Sequence, residues 1–525
     1  MEFLLAAVLI AAVVVLTPLS DRVRVPQPVL LTLFGLVLAL VPGTPELHLE
    51  PDLILPVVLP PLLFAATQRT TAREFRDHAG AVLLLAVGLT VATAAVVALV
   101  VHLAGLPWSA AWVLGAIVSP PDPVAATAVA RRLRLPDRLV TILEGEGMFN
   151  DATALVAFKV AVAATVTGRL SGPGTGLVLV VAVTVGIGIG LLAGWLTKLL
   201  LAAIEEANAE TTLTVLAPFV AYVGAERLGG SGVLAVLFLG LFLRSQGHSA
   251  TTSQGWLLGR SVWSYADFLI TSLVFALLGY ELVKVIGSTR EHEPTVLLVG
   301  LVVTTLVVFR AAWVFVAAWL AGLRARRRDY PAPVGWRETT VVAWAGMRGV
   351  VTVATALALP ATIEDGGGFP HRDEIVVVAL SCVLLTLVVQ GLTLGPLAGR
   401  LGVAAPDEGD DELGRLRRRA ARAALEQVRS EPVGEAGGAV APEVRRAAIL
   451  QYEGYLAAQT AMADARRAEL AGDRNATDQL DRILARAASV ERKLVLEART
   501  RGEVSAAAAD EVLRDIEARA LRDFG

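Results

Sequence analysis

The segment GAIVSPPDPVAATAV, residues 115–129, places an acid among three prolines inside an otherwise apolar stretch. A proline within a helix removes one backbone hydrogen bond and clashes with the carbonyl group one turn earlier. Pro120, Pro121 and Pro123 therefore predict that a helix unwinds around Asp122. Two interpretations are open. Either the break is a simple kink, with Asp122 capping a half-helix that begins at Pro123, or it forms a polar binding site.

The rest of the sequence indicates that this break lies within a membrane. Of its 525 residues, 55% are hydrophobic, and the mean hydropathy of +0.63 is too high for one soluble domain. Many apolar stretches approach or exceed the roughly 18 residues that cross a bilayer. They lie at about 3–17, 26–41, 52–67, 79–101, 108–130, 139–167, 176–200, 211–227, 231–243, 262–286, 295–323, 338–361 and 374–397. The sequence thus predicts an all-α polytopic membrane protein with about thirteen transmembrane helices.

Basic residues orient these spans, because cytoplasmic loops carry an excess of Lys and Arg. Arg-rich connections, such as the one with Arg131 and Arg132, alternate regularly with sparsely basic ones. With an odd number of spans, the N-terminus is expected outside and the C-terminus in the cytoplasm. The first apolar segment has no basic residues before it, so we expect a retained span rather than a cleaved signal.

The composition changes after residue 400, and two domains are predicted. Residues 1–400 form the transmembrane domain, and residues 401–525 form a charged, Ala-rich, helical cytoplasmic tail. A helical domain that packs on itself or on a dimer mate is favoured over a ligand sensor. The sequence identifies no ligand for the tail.

A second acid follows the first break, in TILEGEGMFNDATALVAF, residues 141–158. An unwound midspan must face protein or a wet cavity, and loose carbonyls beside a carboxylate are how transporters build a cation site. Gly147 lies one helical turn before Asp151, which exposes backbone carbonyls beside that carboxylate. Asn150 points about 100° away from Asp151. Because burial raises the pKa of a carboxylate, a cation and a proton can compete for the one group, which is already an exchange mechanism.

The remaining charges in the spans need partners or an exit to water, because each costs about 2.5–3.5 kcal/mol at the bilayer centre. Glu146 is predicted to pair with Arg348, which lies between two glycines in VVAWAGMRGVVTVATALALP, residues 341–360. The alternative has Arg348 at a cytoplasmic helix end. We expect Lys159 at the outer interface, Glu144 in the inner vestibule and Arg310 in a structural position.

Other functions are less well supported by the sequence. The spans hold no HExxH or GxSxG pattern and no serine–histidine pairing, and the single cysteine, Cys382, excludes an intrachain disulfide or a cysteine metal cluster. No enzyme, resident cofactor or nucleic-acid partner is expected. A cation channel is the more serious alternative, although channels favour rings of carbonyls or charges around a pore. Gly186, Gly190 and Gly194 form a small-residue ladder that predicts close helix packing.

The motifs together resemble the sodium/proton antiporters of the NhaP/NHE type, within the monovalent cation:proton antiporter superfamily. The matching segments are PPDPVAATAV, LEGEGMFNDATALV, SGVLAVLFLGL, WAGMRGVVTVATALALP and LVVQGLTL, which occur in the family's order and span residues 1 to 400.

This resemblance implies thirteen spans, two inverted six-helix repeats, two crossed unwound helices and a homodimer in the cell membrane. It further implies that Asp151 is the principal ion- and proton-binding carboxylate, that Asn150 is its structural neighbour and that Asp122 supports the site. Glu146 and Arg348 would form a stabilising pair. The implied activity is electroneutral exchange of a monovalent cation for H⁺ by an elevator-like shift.

Two positions depart from the family pattern. Pro121 stands where a small hydroxyl residue is usual, and Gly147 stands where Ser is usual. Both changes remove side-chain oxygens, and backbone carbonyls or water are expected to replace them. The transported cation is expected to be Na⁺, with Li⁺ or K⁺ as alternatives.

Overall fold

A computed structural model of the chain describes most of its residues, and it divides into two compact units, Met1–Ala404 and Ala405–Gly525. The described residues are 2–23, 25–42, 44, 50–68, 83–122, 126–127, 137–167, 173–246, 251–288, 292–325, 335–363, 367–403, 408–430, 442–470, 490–491, 493–495, 497, 501 and 512. The half-helix predicted to begin at Pro123 and most of residues 471–525 lie outside this set.

The first unit is built from helices, which occupy almost all of its described residues. Among those residues the β structure is one isolated bridge between Thr362 and Gly368. The helices are α1 Glu2–Val23, α2 Gln27–Ala39, α3 Pro51–Thr67, α4 Leu89–Leu103 after a π-helical turn Leu83–Gly88, α5 Trp108–Val118, α6 Asp137–Thr167, α7 Pro173–Leu201, α8 Ala207–Arg227, α9 Gly232–Gln246, α10 Ser253–Ser288, α11 His292–Ala325, α12 Trp336–Trp344, α13 Val350–Leu357 and α14 Arg372–Leu401.

The apolar helices overlap the predicted apolar spans. Within the described part of the chain, five helices are long and apolar enough to cross a membrane: Ala86–Leu103, Val180–Leu201, Gln254–Gly287, Thr295–Leu320 and Arg372–Leu401. A further five apolar helices are shorter. A polytopic all-α membrane protein, as predicted, accounts for this pattern.

The glycine ladder of α7 packs closely against α9, as predicted. A Cβ added at Gly186 would come within 2.7 Å of the Ser231 carbonyl oxygen, and one at Gly190 would overlap the Ala235 carbonyl group. Only glycine permits this approach of two backbones, which is the packing mode of small-residue ladders in membranes.

Helix α6 lies between two hydrophobic clusters. Leu143 and Phe158 belong to the larger cluster, which includes α1, α2, α5, α10, α11 and α14. Ala152 and Leu155 belong to the smaller one, formed mainly by α3, α8 and α9. The helix that carries Asp151 therefore contacts both parts of the unit.

The second unit contains two described helices, α15 Glu408–Ser430 and α16 Pro442–Leu470. Arg429 Nη2 of α15 lies 2.6 Å from Glu453 Oε1 of α16. Ala421 and Leu425 are buried. These helices occur where the charged, Ala-rich composition predicts them.

Candidate functional site: two crossed helix breaks

The predicted break after α5 is present. The helix ends at Val118, and the chain is not helical from Ser119 to Asp122. Pro120 has no N–H to donate to the carbonyl of Ala116, one turn earlier. The Ser119 hydroxyl donates to that carbonyl instead, over 3.0 Å. The sequence thus both breaks the helix and replaces one of the lost bonds.

A second break crosses the first one. Residues 345–349 separate α12 from α13 without helical structure. The Asp122 N–H donates to the Met347 carbonyl oxygen over 2.6 Å, and Arg348 Nε donates to the Val118 carbonyl oxygen over 2.9 Å. Each break therefore supplies hydrogen-bond partners for the other, which satisfies backbone groups that hydrocarbon could not.

Arg348 holds this crossing together through neutral partners. Its backbone N–H donates to Thr386 Oγ1 over 3.1 Å, and its Nη1 donates to the Gly346 carbonyl oxygen. The residue is 2% exposed. It is neither at a helix end reaching for water nor paired with Glu146, so the predicted Glu146–Arg348 pair is wrong.

Glu146 pairs instead with Arg310 of α11. Arg310 Nη1 and Nη2 contact the two carboxylate oxygens of Glu146, the latter over 3.0 Å, and both side chains are 3% exposed. Arg310 Nη2 also lies 3.3 Å from the Val342 carbonyl oxygen. A Cβ at Gly346 would overlap the Arg310 side chain. Because Gly346 has no side chain, the Arg310 side chain can pass it and reach Glu146. Arg348 instead bonds the Val118 and Gly346 carbonyl groups.

Most of the predicted ion-binding residues meet at the crossing. The Asp122 carboxylate lies against Gly349, where any Cβ would overlap it, and Asp122 is close enough to Asp151 for their charges to interact. Asn150 Nδ2 donates to the Pro121 carbonyl oxygen over 3.0 Å, and this links α6 to the first break. Two carboxylates, an amide and freed carbonyls, which are ligands suited to a hard cation, therefore occupy one region.

Of the two departures from the family pattern, Pro121 lies in the first break, and Gly147 lies on α6 one helical turn before Asp151. Pro121 and Gly147 are both buried. Neither has a side-chain oxygen, and the Pro121 carbonyl is already bonded to Asn150. The crossing therefore has fewer side-chain oxygens than the family pattern would give.

Lys159 of α6 lies away from the crossing and contacts α8. Its Nζ pairs with a carboxylate oxygen of Glu226 and lies 5.5 Å from the centre of the Tyr222 ring. The same Glu226 oxygen accepts the Gly232 N–H over 2.7 Å. Both charged side chains are about one-third exposed, at 31% and 35%. The side chain of Glu144 lies outside the described residues.

An all-helical membrane fold with one helix broken at Asp122 and a second broken at Arg348 is the architecture of an ion transporter. The chain belongs to the sodium/hydrogen exchanger family, whose transmembrane model matches residues 8–400.

Individual relatives agree with this family assignment. The chain is 34% identical over 424 residues to an uncharacterized Na⁺/H⁺ exchanger of Mycobacterium tuberculosis, covering 80% of this chain and 78% of the relative. It is 29% identical over 449 residues to the sodium, potassium, lithium and rubidium/H⁺ antiporter of Bacillus pumilus, covering 82% of this chain and 66% of that protein. The fold is similar to that of the sodium proton antiporter MjNhaP1 from Methanocaldococcus jannaschii, with a TM-score of 0.58 and 20% identity over 76% of this chain and 99% of that one.

Proposed function

We propose that the chain exchanges Na⁺ for H⁺ across the cell membrane, one cation for one proton, with Asp151 as the group that binds both. The observation that carries this proposal is the position of Asp151, whose neighbour Asn150 bonds the Pro121 carbonyl oxygen of the first break and whose charge interacts with that of Asp122. A carboxylate there can hold a cation or a proton but not both, so loading one requires release of the other. Asp122 supports the site, since its backbone is fixed by Met347.

One experiment tests the exchange and its stoichiometry. Purified protein in proteoliposomes with an acidic lumen and a pH-sensitive dye is expected to dequench the dye when Na⁺ is added. A one-for-one exchange leaves the rate unchanged when the membrane voltage is set by K⁺ and valinomycin. Cation flux that follows voltage and moves no protons would support a channel and contradict the proposal.

A K⁺/H⁺ exchanger is the second candidate. The Bacillus pumilus relative is a sodium, potassium, lithium and rubidium/H⁺ antiporter, and in this chain Pro121 and Gly147 have no side-chain oxygens. Adding Li⁺ and K⁺ in the same assay distinguishes the two, with the voltage then set by an ionophore for another ion.

We further propose that transport proceeds by an elevator-like shift of α6 and the crossed breaks against α8 and α9. Support comes from the side chains that α6 presents to this neighbour: Ala152 and Leu155 pack there without polar bonds. The Lys159–Glu226 contact is a polar link between α6 and α8, and such a link can break and re-form during the shift.

Joining α6 to α8 should therefore stop the cycle. Lys159→Cys with Glu226→Cys, linked by a short bifunctional thiol reagent, is expected to lose cation-driven dye dequenching by more than about tenfold. Cleaving a reducible linker should restore it. Each single cysteine variant treated in the same way is the control, and the native Cys382 is buried. A linked protein that transports at the wild-type rate would rule out movement between these two helices.

The orientation and assembly complete the proposal. The N-terminus lies outside, the tail from residue 401 lies in the cytoplasm, and two copies form a homodimer surrounded by lipid. Protease accessibility of tags at each end of the chain in right-side-out vesicles tests the orientation. Native mass spectrometry tests the dimer.

A further inference from the structure

The hydroxyl group of Thr352 is buried beside the crossing, and none of the contacts given above involves it. Thr352 lies in the first turn of α13 and is 1% exposed. In the part of the chain that the structure describes, its Oγ1 has no hydrogen-bond partner. Burial of an unpaired hydroxyl is unfavourable, so such a group calls for a physical reason.

The helix break removes the usual backbone partner of this hydroxyl. Buried threonines in this chain commonly donate to the carbonyl four residues earlier, as Thr355 does to Val351 over 2.8 Å and Thr386 to Cys382 over 2.7 Å. The corresponding carbonyl for Thr352 belongs to Arg348, within the non-helical residues 345–349. That carbonyl is not presented in helical register, so the bond is not made.

The position of Thr352 in α13 brings it close to the first of the two acids. Gly349 is the N-cap of α13, and Thr352 is the third helical residue, whose side chain leans back towards the N-cap. The Asp122 carboxylate lies directly against Gly349, and Asp122 is close enough to Asp151 for their charges to interact. Because residues three positions apart share a helix face, Thr352 Oγ1 is expected on the side of α13 that carries Gly349 and the Asp122 carboxylate.

The crossing also needs such an oxygen. A hard monovalent cation takes several oxygen ligands. Pro121 and Gly147 contribute none from their side chains, and the Pro121 carbonyl oxygen already accepts a bond from Asn150 Nδ2. Asn150 Oδ1 is a neutral oxygen without a hydrogen-bond partner among the described residues, and a hydroxyl from the second broken helix would add another from the opposite side.

We propose that Thr352 Oγ1 is a ligand of the transported monovalent cation, on the opposite helix from Asp151. This assignment rests on the proposed exchange function. It makes α13, not only the helix with the first break, part of the ion site. Substitution of this one side chain should then change cation affinity without changing the proton-binding group.

The test compares Thr352→Val with Thr352→Ser in the full-length protein in proteoliposomes. Valine has the same shape without the hydroxyl, and serine keeps the hydroxyl. Thr352→Val should raise the half-saturating Na⁺ or Li⁺ concentration about tenfold, since it removes one polar contact of a buried ion. Thr352→Ser should stay within about twofold of the wild type. The pH dependence at saturating cation should be the same in all three proteins.

The control is Thr355→Val, which removes a buried hydroxyl of the same helix that is already bonded to Val351. It should leave the half-saturating concentration unchanged. The melting temperature separates the ion role from a structural one. If the Thr352 hydroxyl does not bind the cation and has no other partner, Thr352→Val should be at least as stable as the wild type, and its transport should be unchanged.

Each outcome decides the assignment. Unchanged cation affinity in Thr352→Val, or a shift in pH dependence alone, would overturn it. So would a valine variant that fails to fold while Thr352→Ser folds, because the hydroxyl would then have a structural partner. Exchange by the wild type is measured first. If the wild type shows no exchange, the proposed function fails, whatever the Thr352 variants do.

Discussion

Asp151→Asn is expected to reduce cation-driven proton movement to the level of empty liposomes. Asparagine keeps the size of the side chain and its oxygen ligand, but it cannot release a proton at physiological pH. The exchange needs one group that alternates between a cation and H⁺, so the loss should be complete rather than partial. Dye dequenching on addition of Na⁺, measured at several pH values, checks this result.

The matched control for this variant is Asp373→Asn. Asp373 lies in the first turn of α14, and its side chain is 59% exposed. The same chemical change there should leave transport within about twofold of the wild type, because the group is solvated and surface substitutions of this kind have small effects. Retained exchange in Asp151→Asn, with normal folding, would move the proton-binding role to another carboxylate such as Asp122.

The competition at Asp151 also fixes the direction of the pH dependence in the wild type. If one proton must leave for one cation to bind, the half-saturating Na⁺ concentration rises as the pH falls. On the acid side it should change by about tenfold for each pH unit. An independent proton site would give a cation affinity that does not depend on pH.

The sequence predicts the helix breaks because their causes are local. Three prolines within four positions remove backbone donors wherever the chain folds, and the glycines around Arg348 weaken a helix in the same way. The crossing itself depends on tertiary contacts, since the Asp122 N–H bonds a residue more than 200 positions away. Only the resemblance to a known family indicated it in advance.

The partner of Glu146 was not predictable from local rules. Arg310 and Arg348 can each supply the positive charge that the buried Glu146 carboxylate needs. Arg348 was the more prominent candidate in the sequence because two glycines lie close to it. The choice is made by the direction of each side chain at Gly346, where the absence of a Cβ admits Arg310. Thr352 was missed for a similar reason, because a threonine in an apolar helix normally bonds its own backbone.

Breaking the buried Glu146–Arg310 pair is expected to be the most destabilising change in the first unit. Arg310→Met leaves the Glu146 carboxylate buried at 3% exposure without its two guanidinium bonds. Removal of one partner of such a pair costs about 3–5 kcal/mol. The melting temperature of the detergent-solubilised protein, measured by loss of the monodisperse peak after heating, should fall well below that of the wild type.

The Lys159–Glu226 pair, whose side chains are about one-third exposed, provides the matched control on the same helix. Lys159→Met should cost only about 0.2–1 kcal/mol, because water screens the charges and solvates the remaining partner.

A double-mutant cycle then identifies the true partner of Glu146. Glu146→Leu combined with Arg310→Met should recover much of the stability lost in either single variant, since no charge is left unpaired. Glu146→Leu combined with Arg348→Met should not, because Arg348 bonds the Val118 and Gly346 carbonyl groups. Strong coupling of Glu146 to Arg348, with additive effects at Arg310, would contradict the observed pairing.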